Sequence, residues 1–127
     1  MSILKMLRLG TRSSRPARFT LLYAPTEESP VTVGHLGFDG KVWTFAYDDE
    51  FKGRPDLRPI EGMDELSRTY RSPVLFPFFA VRVPDIDRED IKRMLASKHL
   101  SDPGEADLLR LFGRRVVSSP AFELLPA

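Results

Sequence analysis

Two β-prone runs, VTVGHLGF (residues 31–38) and KVWTFAY (residues 41–47), are separated only by Asp39-Gly40, and no other feature restricts the fold as much. Asp-Gly between such runs is the strongest short-range hairpin signal, because a two-residue type I′ turn needs positive φ at both central residues. If the turn holds just those two residues, Phe38 faces Lys41, Leu36 faces Trp43 and Gly34 faces Phe45. Strand side chains alternate between faces, so Trp43, Phe45 and Tyr47 share one side, and Gly34 leaves room for the Phe45 ring. That aromatic side is predicted to pack inward.

The segments around the hairpin extend the sheet and cover it. FTLLYAP, from Phe19, reads as a strand stopped by Pro25. Residues 48–66 are polar and proline-broken, a loop with at most one short turn, and a brief strand is predicted near Arg68 to Arg71. Val74 to Val83 is apolar enough for a short buried helix, limited by Pro77 unless that residue sits in the first turn. PDIDREDIKRMLASKHL reads as a helix capped by Asp87, with Ile91, Met94 and Leu95 as its inner stripe. EADLLRLFG reads as a second helix, ended by Gly113 in a left-handed stop. VVSSPAFELL closes the chain as an extended segment able to pair with the sheet. The pattern predicts an α+β fold: a small antiparallel sheet of about four to five short strands with two or three helices packed on it.

At 127 residues with 42% hydrophobic content, one domain with one modest core is expected. Charge divides it unevenly. Residues 1–18 hold Lys5, Arg8, Arg12, Arg15 and Arg18 and no acid, leaving 14 bases against 18 acids in the remainder, about −4. The organisation read is a basic N-terminal tail over residues 1–18, where apolar spacing supports one or two helical turns, and a domain over residues 19–127. No apolar run of 18 or more residues and no secretory leader is present, so a soluble, cytoplasmic protein is expected, with no membrane contact. The absence of cysteine excludes disulfides, thiolate nucleophiles and cysteine zinc sites.

Catalytic signatures are missing. The glycines of GHLGFDG lie in the hairpin and do not lead into a helix, so they cannot cradle a phosphate there. His35 and His99 are far apart and belong to no catalytic spacing. The acidic run Asp48 to Glu50 reads as a solvated loop, and Ser118 and Ser119 lack a nucleophile-elbow context. Arg114-Arg115 and the basic tail are not interleaved with aromatics in a nucleic-acid motif. No enzyme activity, cofactor or metal is expected, and direct nucleic-acid contact is open only to the tail.

What remains is the order of the pieces. Val33, Gly34, Leu36, Phe45 and Tyr47, then Phe78, Phe79, Val83, Pro84, Asp85 and Arg88, then Leu108, Leu109, Gly113 and Arg114 fall where the N-terminal subdomain of HipA-like serine/threonine kinases carries its motifs. The chain resembles that subdomain over about residues 19–125. Two departures stand out: Arg82 and Val83 replace the paired leucines before the proline, and VVSSPAFEL replaces a G-A-V strand. No kinase phosphate loop, catalytic loop or metal-binding aspartate motif is present.

A separate subdomain of this kind is similar to the HipS-like antitoxins of three-part HipBST toxin–antitoxin systems. The resemblance implies a binding protein that neutralises a HipT-like serine/threonine kinase, in a complex that includes a HipB-like helix-turn-helix DNA-binding protein. The alternative is a non-inhibitory accessory or transcriptional co-regulatory module bridging those two. Interfaces favour aromatic and arginine anchors, which makes Trp43, Leu75, Phe76, Phe79, Arg82 and Arg114 the candidate partner-binding residues. For Trp43, Phe78 and Phe79 the same pattern also allows a place in the core.

Overall fold

The computed structural model describes residues 15–26 and 28–127. Strands β1 (Ala17–Tyr23), β2 (Val31–Phe38), β3 (Trp43–Tyr47), β4 (Tyr70–Ser72) and β5 (Phe122–Pro126) form an open antiparallel sheet in the order β4-β3-β2-β1-β5. The hairpin between β2 and β3 forms, with a longer turn than the shortest possible. Phe38 lies opposite Trp43, Leu36 opposite Phe45 and Gly34 opposite Tyr47, two residues away from the two-residue-turn register. The Asp39 carboxylate is the cause: it accepts the amides of Lys41 (2.8 Å) and Val42 (2.7 Å), closing a four-residue loop in which only Gly40 has positive φ. A slip of two residues preserves the alternation, so Trp43, Phe45 and Tyr47 are all buried on the expected side.

A bulge lets β2 bury residues on both sides of a broken alternation. Gly34 lies opposite Leu21 and Thr32 opposite Leu22, which leaves Val33 as the extra residue. Helix α1 (Asp49–Lys52) then occupies the backbone groups freed there: Thr32 donates to Glu50 Oε1 (2.7 Å) and the Asp48 amide donates to the Val33 carbonyl (2.8 Å). Asp48 caps α1 through the Glu50 amide (3.0 Å), so the acidic run read as loop is a helix start.

Three further helices follow: α2 (Pro77–Ala80), α3 (Glu89–Ser97) and α4 (Glu105–Phe112). The described residues thus hold four helices, one more than expected. Pro77 sits in the first turn of α2, where its missing N–H costs nothing. Leu75, Phe79, Ala106 and Leu109 pack with Phe19, Leu21, Leu36, Trp43 and Phe45 into the main core, so α2 and α4 cover one face of the sheet. Helix α3 lies outside them, seated by Ile91 and Leu95 on Leu108.

Three local expectations are corrected. Asp87 does not cap α3; Arg88 holds that position without a side-chain bond, and the Asp87 amide is itself taken by the Asp85 carboxylate (2.9 Å). Met94 points outward, 43% exposed, because two residues of a nine-residue helix suffice to seat it. Gly113 is not left-handed, with φ −87°; a Cβ there would lie 2.6 Å from the Leu109 carbonyl oxygen, so glycine is required by close approach. The left-handed residue is His99, φ 58°, where the Leu100 amide reaches back to the Leu95 carbonyl (2.9 Å) at the end of α3. The predicted tail and its helical turns lie outside the described residues except for Arg15 to Arg18, and β1 already begins at Ala17.

The long connection between β3 and β4 is tied to the core through the Tyr47 phenol. Buried Tyr47 donates its hydroxyl to the Met63 carbonyl (2.6 Å) and accepts the Ile60 amide (2.9 Å). Burial pushes this hydroxyl up to about 12, so it stays protonated throughout the neutral range. Tyr47→Phe leaves one donor and one acceptor unpaired in the interior and is expected to cost about 1–3 kcal/mol, read as a lower urea midpoint at unchanged slope.

Candidate functional site

The stretch from Leu75 to Arg82 divides into an inward and an outward side. Leu75 and Phe79 are fully in the core, Phe79 with its ring 5.5 Å from Phe45. Trp43 is equally buried and stacks on Phe38 at 4.4 Å. Phe76, at the start of α2, is half-buried. Val74 and Val81 face solvent, 69% and 58% exposed.

Arg82 is the unexpected member of the inward side. Only 3% of it is exposed, and among the described residues no carboxylate pairs with it. Its Nη1 donates to the carbonyls of Gly113 and Arg114 (3.2 Å each), its Nη2 to the carbonyl of Phe122 (3.4 Å), and its guanidinium lies over the Phe78 ring at 5.4 Å. Burial holds its pKa below the usual arginine value, and among the described residues Nε has no hydrogen-bond partner. The fork thereby ties the end of α2 to the end of α4 and to β5, where several short elements converge without a shared ladder.

Glu123 secures the same junction from β5. It accepts from Arg114 Nε and from Arg115 Nη2 (3.2 Å), while the Leu124 amide donates to the Arg114 carbonyl (2.9 Å). Arg114 chiefly, and Arg115 next, hold its carboxyl below the usual carboxylate range. The Arg114 side chain nevertheless stays 67% exposed.

Beside this clasp runs an open groove of about 420 Å³ between α3 and the segment after α4. Val81 and Met94, two of the five large exposed apolar side chains of the described residues, form its mouth over Ile91 and Phe112. Arg88, forked onto Asp90 at 3.2 and 2.7 Å, and Arg115 border it. An apolar floor edged with arginines is the composition of a protein-binding anchor. Sequence reasoning missed Val81 and Met94. The signal was available in the narrowness of the α3 stripe and in Val81 falling one residue beyond a helix stopped at Ala80.

Among the described residues no group of three or more His, Cys, Asp or Glu is placed to hold a metal ion. His35 Nε2 lies 2.8 Å from Asp48 Oδ1, an exposed pair that braces the α1 cap, and that hydrogen bond lowers the Asp48 pKa.

With the sheet, the Arg82 clasp and the groove in place, comparison with protein-family models finds a match to the HipA N-terminal domain over residues 29–118. The chain belongs to the HipA N-terminal domain family. No curated protein and no solved structure matches it. The HipA N-terminal domain match begins just before β2 and ends after Arg114-Arg115, so it contains the hairpin, all four helices, Arg82 and the groove. It leaves out β1 and β5, although β1 sits between β2 and β5 and contributes Phe19 and Leu21 to the core.

Within this HipA N-terminal domain the motif residues have structural work. Gly34 gives way to the Phe45 ring, Leu109 packs beneath the sheet, and Gly113 offers its carbonyl to Arg82. Arg82 places a cation in a buried site, held there by three backbone carbonyls. Among the described residues no helix is long and apolar enough to cross a membrane.

Proposed function

We propose that this chain is the antitoxin of a HipBST-like system, binding a HipT-like serine/threonine kinase and blocking its toxicity. The observation that carries this reading is the HipA N-terminal domain match over 90 of the 127 residues, in a sequence without any kinase motif. A HipA N-terminal domain is a non-catalytic subdomain, and its role here is to bind.

The contact surface we assign is the arginine-edged groove with Val81 and Met94 at its mouth, joined by the exposed Arg114 and the half-buried Phe76. Trp43, Leu75 and Phe79 lie in the main core, while Arg82 lines the groove. Acting on a kinase made as a separate chain would call for an interface of about 800 Å² per partner.

The test is reconstitution with the cognate kinase, following phosphorylation of its substrate. Stoichiometric addition is expected to suppress turnover, and Val81→Asp with Met94→Asp is expected to weaken binding by about 30-fold or more, the effect of losing an interface anchor. Binding with undiminished turnover would make the chain an accessory or co-regulatory module instead. Full inhibition by the double variant would move the contact off this groove.

A further inference from the structure

The groove of Val81 and Met94 carries an excess of positive charge that the rest of the domain lacks. Arg82, Arg88 and Arg115 line it, and Arg114 stands next to Arg115; against these four guanidiniums are set Asp90, in the lining, and Glu123, which Arg114 and Arg115 share. The cluster therefore counts +2, while the remainder of residues 19–127 holds 10 bases against 16 acids, −6. We propose that the groove takes a segment of a partner protein in which a large apolar side chain is flanked by carboxylates, the apolar group seated between Val81 and Met94 and the carboxylates on Arg88 and Arg115. This choice of ligand rests on the groove being the antitoxin's contact surface and adds the chemistry of what enters it.

Each part of the groove supplies one half of that recognition. Ile91 is buried and Phe112 half-buried, so the floor is packed, yet Val81 and Met94 above it remain exposed, apolar area that a partner's side chain would remove from water. The arginines are already held in place. Asp90 takes Nε and Nη2 of Arg88, which fixes the plane of that guanidinium and leaves Nη1 to donate elsewhere, and the one carboxylate of Glu123 is divided between Arg114 and Arg115. Arg88 and Arg115 are both more than half exposed, and a guanidinium fixed in this way loses little freedom when a second carboxylate arrives. Arg82 adds charge without adding a contact: its Nη1 and Nη2 are committed to backbone carbonyls, and among the described residues no carboxylate offsets it. A nucleic acid fits less well, because an extended polyanion would lie against a domain whose remaining charge is −6, whereas a short acidic segment meets only the cluster.

Selection of a random peptide library, displayed on phage, against the immobilised full chain tests the assignment. Enriched sequences are expected to place Asp or Glu within a few residues of a large apolar side chain, and a synthetic peptide of the most enriched sequence is expected to shift the backbone amide resonances of Val81, Arg88, Met94 and Arg115. Replacing its carboxylates by amides is expected to weaken binding about 10-fold. Arg115→Glu, a change at an exposed side chain, is expected to turn the selection toward Lys or Arg at the acidic position while leaving the sheet resonances in place, a change of preference that lost stability alone would not produce. Absence of enrichment would overturn the proposal, as would enriched peptides without carboxylates, an unchanged preference with Arg115→Glu, or shifts centred away from the groove. So would displacement of the peptide by a duplex oligonucleotide that shifts the same amides, which would assign the cluster to phosphate. No kinase enters the selection, so a chain that fails to inhibit a kinase and still selects acidic apolar peptides would lose the antitoxin reading and keep this one.

Discussion

Truncating Arg82 to alanine is expected to destabilise the domain by about 3 kcal/mol, while Arg82→Met costs about half as much. The alanine variant removes the side chain that joins α2 to the carbonyls of Gly113, Arg114 and Phe122, and leaves an empty volume beneath Phe78. The Arg114 carbonyl keeps the Leu124 amide, so the loss falls mainly on Gly113 and Phe122. Methionine loses the same three bonds, but it fills the space and removes a buried guanidinium that, among the described residues, has an unpaired Nε and no carboxylate to offset its charge. The ordering of the two variants decides between packing and hydrogen bonding. Urea midpoints that are equal for alanine and methionine would show that the three carbonyl bonds, and not the filled volume, hold the junction.

Arg82 also shows where sequence reading stops. Its residue type advertises a surface, and its position, seven residues after Leu75 and three after Phe79, advertises an interior; only the three carbonyls converging from distant segments decide for the interior. The strands and the two longer helices were legible because each is set by neighbours in sequence: alternation in β2 and β3, and Ile91 with Leu95 in α3. The hairpin register was not, because it turns on the Asp39 carboxylate capturing two amides, a choice between loops of equal parity. The helix at Asp49 was hidden for a related reason. Its acids read as solvated until the bulge at Val33 supplies backbone groups for Glu50 and Asp48 to bind. The candidate contact residues divided in the same way. Rings on the Leu75 and Phe79 stripe went to the core, and the exposed apolar surface fell to Val81 and Met94, smaller or more flexible side chains that composition does not single out.

Gly34→Ala is expected to cost about 3 kcal/mol, against the usual direction for this change. Replacing glycine by alanine in an accessible conformation gains about 0.4–1 kcal/mol by restricting the unfolded chain. Here the added Cβ would lie 2.5 Å from the Ala46 carbonyl oxygen and 2.5 Å from Phe45 Cζ. The ring can turn only against Phe79 and Tyr47, which pack on it at 5.5 and 5.1 Å, and the oxygen belongs to the strand paired with β2. Overpacking of that kind costs about 1–3 kcal/mol when side chains alone must yield, and more when a ladder must. A double-mutant cycle separates the two obstacles. In a Phe45→Leu background the ring is gone and the backbone oxygen is not, so Gly34→Ala should become less costly by about 1 kcal/mol without becoming neutral. If the penalty vanished entirely in that background, the ring alone would explain the glycine, and the close approach of β2 to β3 would place no demand on it.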